Sequence, residues 1–220
     1  MSLSGCDAKA AQSESRGDAQ RLTGRICHRA KNDFQTIANM LALASPFARS
    51  PEDLAEAMEG RVGALSICYA LLAETGSAPT LDRLAGEVLR RSLWRVVSPP
   101  RLESQLPGLR LSLRLCSPLS LWFHEVIGNA LQHGQNGGGL SLGLFGLLGE
   151  DSVTLRVVDN GPGLPPGFDL ASHARLGLKL AQAVAVTDLR GRMELNDARP
   201  GLEARLVVPL VEFNALNRDA

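Results

Sequence analysis

The chain has 220 residues, and 45% of them are hydrophobic, which allows a sizeable core in one large domain or two small ones. Its 23 lysine and arginine residues balance 23 acidic residues, so the charge excludes a strongly basic nucleic-acid or membrane-surface binder. The four cysteines contain no C-x-x-C pair, and no apolar run approaches the ~20 residues of a membrane span. We therefore expect a cytoplasmic protein with reduced thiols and no nucleic-acid or membrane partner.

The first predicted element is a long amphipathic helix from about Asp18 to Ala44, after a tail at residues 1–17 that we expect to be flexible. His28 lies off the apolar stripe of this helix, so its imidazole should face solvent. An ordinary surface histidine is the alternative, because histidine is often partly exposed. The stripe consists of Ile26, Ala30, Phe34, Ile37 and Leu41.

A second helix is predicted from Pro51 to about Glu74, since Ser50 can cap it and proline suits the first helical position. Two amphipathic helices joined by a short turn form an antiparallel hairpin, which cannot bury both apolar stripes by itself. We therefore predict that residues 18–75 form a homodimer, in which two hairpins make a four-helix bundle. The alternative is that the hairpin packs on the C-terminal domain of its own chain.

Beyond a linker at residues 75–79, helices and strands alternate. A third helix is predicted from Leu81 to about Val97, and the alternation at 110–116 predicts a strand. Helices mixed with largely antiparallel strands indicate an α+β fold, so we predict an α/β sandwich over residues 80–212. Its remaining predicted elements are a helix from Ser117 or Pro118 through His133, strands at 140–148 and 152–158, a helix at 176–186, and strands at 189–195 and 202–209.

Three polar side chains are spaced four residues apart in the helix that ends at His133. Glu125, Asn129 and His133 therefore share one helix face. An amide oxygen is a hard ligand that suits Mg²⁺, which prefers a few protein ligands plus phosphate oxygens, so Asn129 is a candidate metal ligand. The alternative is an ordinary solvated face, because polar residues at helical spacing usually mark one.

Glycines follow an aspartate at the end of a predicted strand. Asp159 could accept a hydrogen bond from an exocyclic amine, while Gly161 and Gly163 let the backbone approach a flat ring. Further along, Gly177 near a helix start would let phosphate reach free N–H groups, and Lys179 would add positive charge. A plain turn and a structural helix cap are the alternatives at these two places.

The order of these motifs over residues 81–210 resembles the ATP-binding fold shared by gyrase, histidine kinases and MutL-type mismatch-repair ATPases. The run His28-Arg29-Ala30-Lys31-Asn32 resembles the H-R-x-K-N phosphoacceptor box of the second histidine-kinase dimerisation subfamily, which is close to the HWE kinases. Arg61-Val62 and the apolar residues after it are similar to the second helix of that subfamily.

The resemblance implies an ATP- and Mg²⁺-dependent protein-histidine kinase that phosphorylates His28 and passes the phosphoryl group to an aspartate of a response-regulator receiver domain. It further implies that Asn32 orients water for dephosphorylation of the regulator and that Glu125 is a base on the ATP side. No sensor domain is predicted ahead of the first helix, so we expect a separate protein to supply the signal. The residues implied for ATP and Mg²⁺ are Asn129, His133, Asp159, Gly161, Gly163, Gly177 and Lys179.

Two other functions share part of this pattern. A histidine phosphotransfer protein would keep His28 but carry a non-catalytic ATPase-like domain, and the presence of Asn129 and Asp159 argues against it. An anti-sigma-type serine kinase would have the same ATP fold. That class has no reason to carry a helix pair with an H-R-x-K-N box, so the first 75 residues argue against it.

Overall fold

A computed structural model describes residues 4–48, 50–94, 96, 98–134 and 139–214. The described helices are α1 (Ser4–Ala44), α2 (Pro51–Thr75), α3 (Leu81–Ser92), α4 (Leu113–His133), α5 (Leu170–His173), α6 (Leu176–Thr187) and α7 (Leu210–Asn214). The described strands are β1 (Arg101–Gln105), β2 (Ser141–Leu148), β3 (Ser152–Asp159), β4 (Arg192–Asp197) and β5 (Leu202–Pro209). Each helix in these ranges is too short or too polar to cross a lipid bilayer.

The first two helices form the predicted antiparallel hairpin. A single 3₁₀ turn over Ser45–Phe47 separates them, and Ser50 caps α2 by accepting a hydrogen bond from the Asp53 backbone N–H at 3.2 Å. Gly76 ends α2 in the left-handed conformation, with a φ of 66°. The backbone of residues 4–17 is helical, contrary to the predicted loose tail, because alanine, glutamine, glutamate and lysine favour a helix and no proline interrupts them.

A five-stranded mixed sheet forms the second layer, in the order β1-β2-β3-β5-β4. The pairs β2–β3, β3–β5 and β4–β5 are antiparallel. β1 pairs in parallel with β2, placing Arg101 opposite Ser141. The sequence did not reveal β1, because all five of its side chains are exposed at the sheet edge and therefore show no alternation of polar and apolar residues.

The predicted strand at 110–116 is wrong. Arg110 forms only an isolated bridge with Thr80, and α4 begins at Leu113, several residues before its predicted start. Leu115 and Cys116 are fully buried on α4, and a short apolar run of this kind cannot be assigned to strand or helix by its pattern alone.

The third helix is also shorter than predicted. α3 ends at Ser92, five residues before Val97. β-branched Val96 and the pair Pro99-Pro100 follow its end, and such residues disfavour further helical turns.

One hydrophobic core joins the hairpin to the C-terminal domain. The buried residues Leu65, Cys68 and Leu72 of α2 belong to the same core as Trp122 and Phe123 of α4. Within the single chain, the hairpin therefore packs on its own C-terminal domain, which was the alternative arrangement. The homodimeric four-helix bundle stays a prediction.

Candidate active site

A pocket with about 200 Å³ of empty space lies between α4, α6 and strands β3 and β5. Its polar side chains are Asn129 and Asp159, two of the predicted site residues. The apolar lining residues are Val126, Ala130, Val157, Leu178, Leu202 and Ala204.

Asp159 ends β3 and is buried at the pocket. Its Oδ1 accepts hydrogen bonds from the backbone N–H groups of Gly161, at 2.8 Å, and Leu202, at 3.2 Å. Both donors bind Oδ1, which leaves Oδ2 without a protein donor among the described residues. Burial raises the pKa of Asp159 above its ordinary value, while these N–H groups and nearby His133 partly oppose the rise. A fixed, partly desolvated carboxylate of this kind is suited to accept a hydrogen bond from an amine.

Glycine is required at several turns around Asp159. A Cβ on Gly161 would lie 2.6 Å from the Gly134 Cα, so the turn after β3 packs backbone to backbone against the end of α4. Gly163 has a φ of 76°, which favours glycine. Gly201 has a φ of 103°, and a Cβ there would lie 1.7 Å from the Asp159 carbonyl oxygen. Gly201 was not predicted as a site residue; its signal in the sequence is the turn pair Pro200-Gly201 before the last strand.

The structure pairs Glu125 with Arg61 of α2. Its Oε1 lies 2.7 Å from the Arg61 Nε, and its Oε2 lies 3.3 Å from Nη2, so the pair is bidentate. Both residues are buried, with exposed fractions of 8% and 7%. In this arrangement the carboxylate is engaged by a guanidinium, so its geometry gives no support to the predicted role as base. Sequence reasoning missed this pair because 64 residues separate its members.

The start of α6 lies against the same carboxylate. A Cβ on Gly177 would come within 2.6 Å of the Glu125 Oε2, so glycine permits this close approach. Lys179 is half-buried in the first turn of α6. Glu125 therefore lies between α2 and the helix start that was predicted to face phosphate.

The metal prediction rests on Asn129 alone. Asn129 is half-buried on α4, and His133, the last residue of this helix, is exposed. Over the described ranges, no group of three or more His, Cys, Asp or Glu residues could enclose a metal ion. One amide oxygen beside a pocket fits an Mg²⁺ ion that takes most of its ligands from phosphates and water.

His28 and Asn32 are both exposed on α1, one helical turn apart. Arg29, the residue after His28, is mostly buried, unlike the histidine. Its Nη2 lies 2.8 Å from the Asp33 Oδ1. Its charge is therefore paired with a carboxylate. The exposed imidazole is accessible to a phosphoryl donor or acceptor.

Asp33 also connects α1 to two further helices. Its Oδ2 accepts hydrogen bonds from the Tyr69 hydroxyl on α2 and the Ser117 hydroxyl on α4, both at 2.7 Å. Burial and the neighbouring carboxylate raise the pKa of Tyr69, so its hydroxyl stays protonated and donates. We call Arg29, Asp33, Tyr69 and Ser117 the Asp33 hub.

Comparison with known proteins identifies the fold and the class. The histidine kinase domain of the EL346 blue-light activated histidine kinase from Erythrobacter litoralis has the same fold, with a TM-score of 0.69 at 20% identity over 86% of this chain and 93% of that chain. Sensor histidine kinase PdtaS of Mycobacterium tuberculosis is 27% identical over 202 residues, which cover 84% of this chain and 38% of PdtaS. The blue-light-activated histidine kinase of Brucella anthropi is 25% identical over 199 residues, 88% of this chain and 40% of that protein. In fold and in sequence, the chain is therefore similar to histidine kinases.

A more specific similarity lies in the first half of the chain. Residues 25–95, which include His28 and α2, match the family model of the HWE histidine kinases. This match confirms the resemblance that the H-R-x-K-N box indicated. The chain spans about two fifths of the length of the curated relatives named above.

Proposed function

We propose that the chain is a protein-histidine kinase, which phosphorylates His28 with Mg-ATP and donates the phosphoryl group to an aspartate of a response-regulator receiver domain. The observation that carries this proposal is the convergence of Asn129, Asp159 and Leu178 from three separate elements on one pocket. The exposed position of His28 within the HWE region supplies the acceptor.

The reaction consists of two phosphoryl transfers. An imidazole nitrogen of His28 attacks the γ-phosphorus of ATP; an N–P bond forms, the bond to the bridging oxygen of ADP breaks, and the ring proton is released to water. A carboxylate oxygen of the receiver then attacks the same phosphorus, so that an O–P bond forms, the N–P bond breaks and the leaving imidazole takes up a proton from water. The protein contributes mainly positioning and charge neutralisation, as in other phosphoryl transfers.

Each site residue has a proposed task in the first transfer. The Oδ2 of Asp159 accepts a hydrogen bond from the adenine amine, while Leu178 and its apolar neighbours hold the ring. Asn129 supplies a ligand to Mg²⁺. Gly177 leaves the N–H groups at the start of α6 open to phosphate, and Lys179 adds positive charge there. On α1, Asn32 shares the solvent side with His28, where it can orient water for phosphatase activity toward the regulator.

The proposed homodimer is supported by apolar side chains that the single chain leaves exposed. On α1, Phe34 is 71% exposed and Leu41 is 47% exposed, and Val62 on α2 is 40% exposed. Large apolar side chains of this kind usually mark a surface that another molecule covers. A second hairpin would cover them if residues 18–75 pair as two copies.

The decisive experiment incubates the protein with γ-labelled ATP and then adds receiver domains. We expect acid-labile label on the wild type that chases to the receiver, and no label on His28→Ala, although that variant still binds nucleotide. Gln35→Ala, an exposed change on the same helix, is the matched control and should be labelled like the wild type. Label that persists on His28→Ala would refute His28 as the acceptor.

The two alternative functions give different results in the same experiment. A phosphotransfer protein would not bind Mg-ATP at millimolar concentration, yet would accept a phosphoryl group from a phosphorylated partner. A serine kinase would carry or transfer acid-stable label. Acid-labile label that depends on His28 excludes both.

A further inference from the structure

Asn160 lies where the chain leaves the sheet after β3. The antiparallel ladder of β2 and β3 has its last pair at Leu142 and Asp159. At the next position the side chain of Asn160 replaces the backbone: its Oδ1 accepts a hydrogen bond from the Ser141 N–H at 2.7 Å, and its Nδ2 donates to the Gly139 carbonyl oxygen at 3.0 Å. An asparagine amide carries an acceptor and donors, so one side chain satisfies both backbone groups. We call these two hydrogen bonds the Asn160 clamp.

The Asn160 clamp holds the backbone on both sides of Leu140, whose side chain is buried. A Cβ on Gly134, the residue that ends α4, would lie 2.8 Å from the Leu140 Cδ1 and 3.1 Å from the Asp159 Cβ. Leu140 and Asp159 therefore both pack closely on the end of α4. Asn160 links them, because it follows Asp159 in the chain and bonds to both neighbours of Leu140.

The direction of the Asp159 carboxylate depends on the same turn. Its Oδ1 is held by the backbone N–H groups of Gly161 and Leu202. Gly161 is the residue after Asn160, so a movement of Asn160 displaces this donor and rotates the carboxylate. Because hydrogen bonds weaken steeply as their angle falls toward about 120°, a modest rotation is enough to misalign the carboxylate with an amine in the pocket.

We propose that Asn160 is a positioning residue that determines how strongly the pocket prefers a base with an exocyclic amine. It acts through Asp159, whose carboxylate the Asn160 clamp keeps directed at the amine. The inference rests on the proposed function, because it takes Asp159 as the acceptor for the adenine amine. Loss of the clamp should therefore reduce the contribution of the amine to binding and spare that of the phosphates, which the proposed function places near Asn129 and Gly177.

The test compares two nucleotides that differ only in this amine. Mg-ATP and the magnesium complex of purine riboside triphosphate, in which hydrogen replaces the amine, are each titrated calorimetrically into the full chain. We expect the wild type to bind Mg-ATP at least about tenfold more tightly, because the analogue leaves the buried carboxylate of Asp159 without its donor. The ratio of the two affinities measures the preference for the amine.

Asn160→Ala removes both hydrogen bonds of the clamp, and Asn39→Ala is its matched control. Asn39 is exposed on α1, where its amide oxygen accepts a hydrogen bond from Gln35. We expect Asn160→Ala to bind Mg-ATP about tenfold more weakly and the analogue no more than about twofold more weakly, so that the preference for the amine nearly disappears. Asn39→Ala should keep both affinities. A purely structural loss would instead weaken the binding of both nucleotides by the same factor.

Asn160→Asp is the conservative variant. Its carboxylate can still accept a hydrogen bond from the Ser141 N–H, but it cannot donate to the Gly139 carbonyl oxygen. The added negative charge acts on both triphosphates alike, so it cancels from the ratio of their affinities. We expect a preference for the amine between those of the wild type and Asn160→Ala. If Asn160→Ala does not fold, Asn160→Asp carries the test alone.

Hydrogen exchange tests the Asn160 clamp without nucleotide. The Ser141 N–H donates to the Asn160 side chain and lies beyond the last pair of the β2–β3 ladder, so its protection depends on that side chain. By NMR we expect this amide to exchange at least about tenfold faster in Asn160→Ala than in the wild type. Asn160→Asp, which keeps the acceptor, should retain most of the protection, and Asn39→Ala should retain all of it.

The outcomes separate this inference from the proposed function. A wild-type preference for the amine in the Asn160 variants, whether both affinities fall or neither does, would overturn the positioning role and leave the kinase in place. A Ser141 amide that exchanges as fast in the wild type as in Asn160→Ala would overturn the clamp itself. Equal wild-type affinity for the two triphosphates would overturn the proposed role of Asp159, and the inference with it.

Discussion

Replacing Gly201 by alanine tests the shape of the nucleotide pocket most directly. The added Cβ would lie 1.7 Å from the Asp159 carbonyl oxygen and 2.9 Å from the Asn160 Cα, and these backbone atoms cannot rotate away. A residue other than glycine in a left-handed conformation costs about 1–2 kcal/mol, and overpacking costs about 1–3 kcal/mol more. We therefore expect the free energy of unfolding to fall by about 2–5 kcal/mol.

The same change should weaken nucleotide binding, because Gly201 precedes the residue that holds Asp159. A shift of this turn moves the Leu202 N–H away from the Asp159 Oδ1, so the carboxylate loses one of its two backbone donors. We expect at least about a tenfold loss of affinity for Mg-ATP, since one hydrogen bond to a charged group contributes about 1.5–3 kcal/mol. Urea denaturation followed by circular dichroism gives the stability, and calorimetric titration gives the affinity.

Gly86→Ala is the matched control for this substitution. Gly86 lies exposed in α3, and no atom lies within 4 Å of the position of an added Cβ. Alanine should stabilise this helix by about 0.5–1 kcal/mol and leave nucleotide affinity unchanged. Wild-type stability and affinity in Gly201→Ala would show that the close contact with Asp159 does not exist in solution, and the reasoning about the pocket would then fail.

Three further substitutions test the hub, the carboxylate and the exposed apolar face. Asp33→Ala should lower the free energy of unfolding, measured by urea titration, by about 3–5 kcal/mol, because it leaves the mostly buried guanidinium of Arg29 unpaired. The exposed control Asp151→Ala should change that free energy by no more than about 0.5 kcal/mol. Asp159→Asn should abolish nucleotide binding yet stabilise the unliganded protein at neutral pH. Burial raises the pKa of Asp159, so the wild type loses stability as the pH rises through that pKa. Urea titrations from about pH 4 to neutrality should therefore show a growing difference in the free energy of unfolding in favour of the variant. A difference that shrinks over this range would contradict the raised pKa. Phe34→Glu should convert the dimer to monomer in sedimentation velocity, whereas Trp94→Glu, at a side chain 82% exposed outside the hairpin, should not.

The sequence predicted those parts of the fold that depend on neighbouring residues. Ser50 and Pro51 specify the start of α2 through capping and a fixed φ, and the structure shows this cap. The end of β3 at Asp159 was also predictable, because the apolar run stops there and glycines follow it. The solvent side of α1 at His28 follows from helical spacing alone, which the exposed imidazole confirms.

The parts that were missed depend on contacts between distant residues. The pairing of Glu125 with Arg61 was not predicted, because its two members come from α4 and α2, 64 residues apart. Gly201 was missed because a turn pair does not reveal which backbone lies against it. β1 shows no pattern because an exposed edge strand buries neither face. In each case the packing of another element decided the outcome, and a local pattern carries no information about that packing.

Apolar and polar residues contribute differently to the α2–α4 interface. Buried apolar residues of α2 such as Leu65 and Leu72 each contribute about 1.5–3 kcal/mol, and they favour docking without specifying which turn of α4 they meet. A buried ion pair contributes little net stability, because desolvation of both charges offsets their attraction. Arg61 and Glu125 nevertheless determine the alignment, since any other register would leave both charges buried without partners. The apolar residues thus hold the C-terminal domain on the hairpin, while the polar residues determine which turns of α2 and α4 lie side by side.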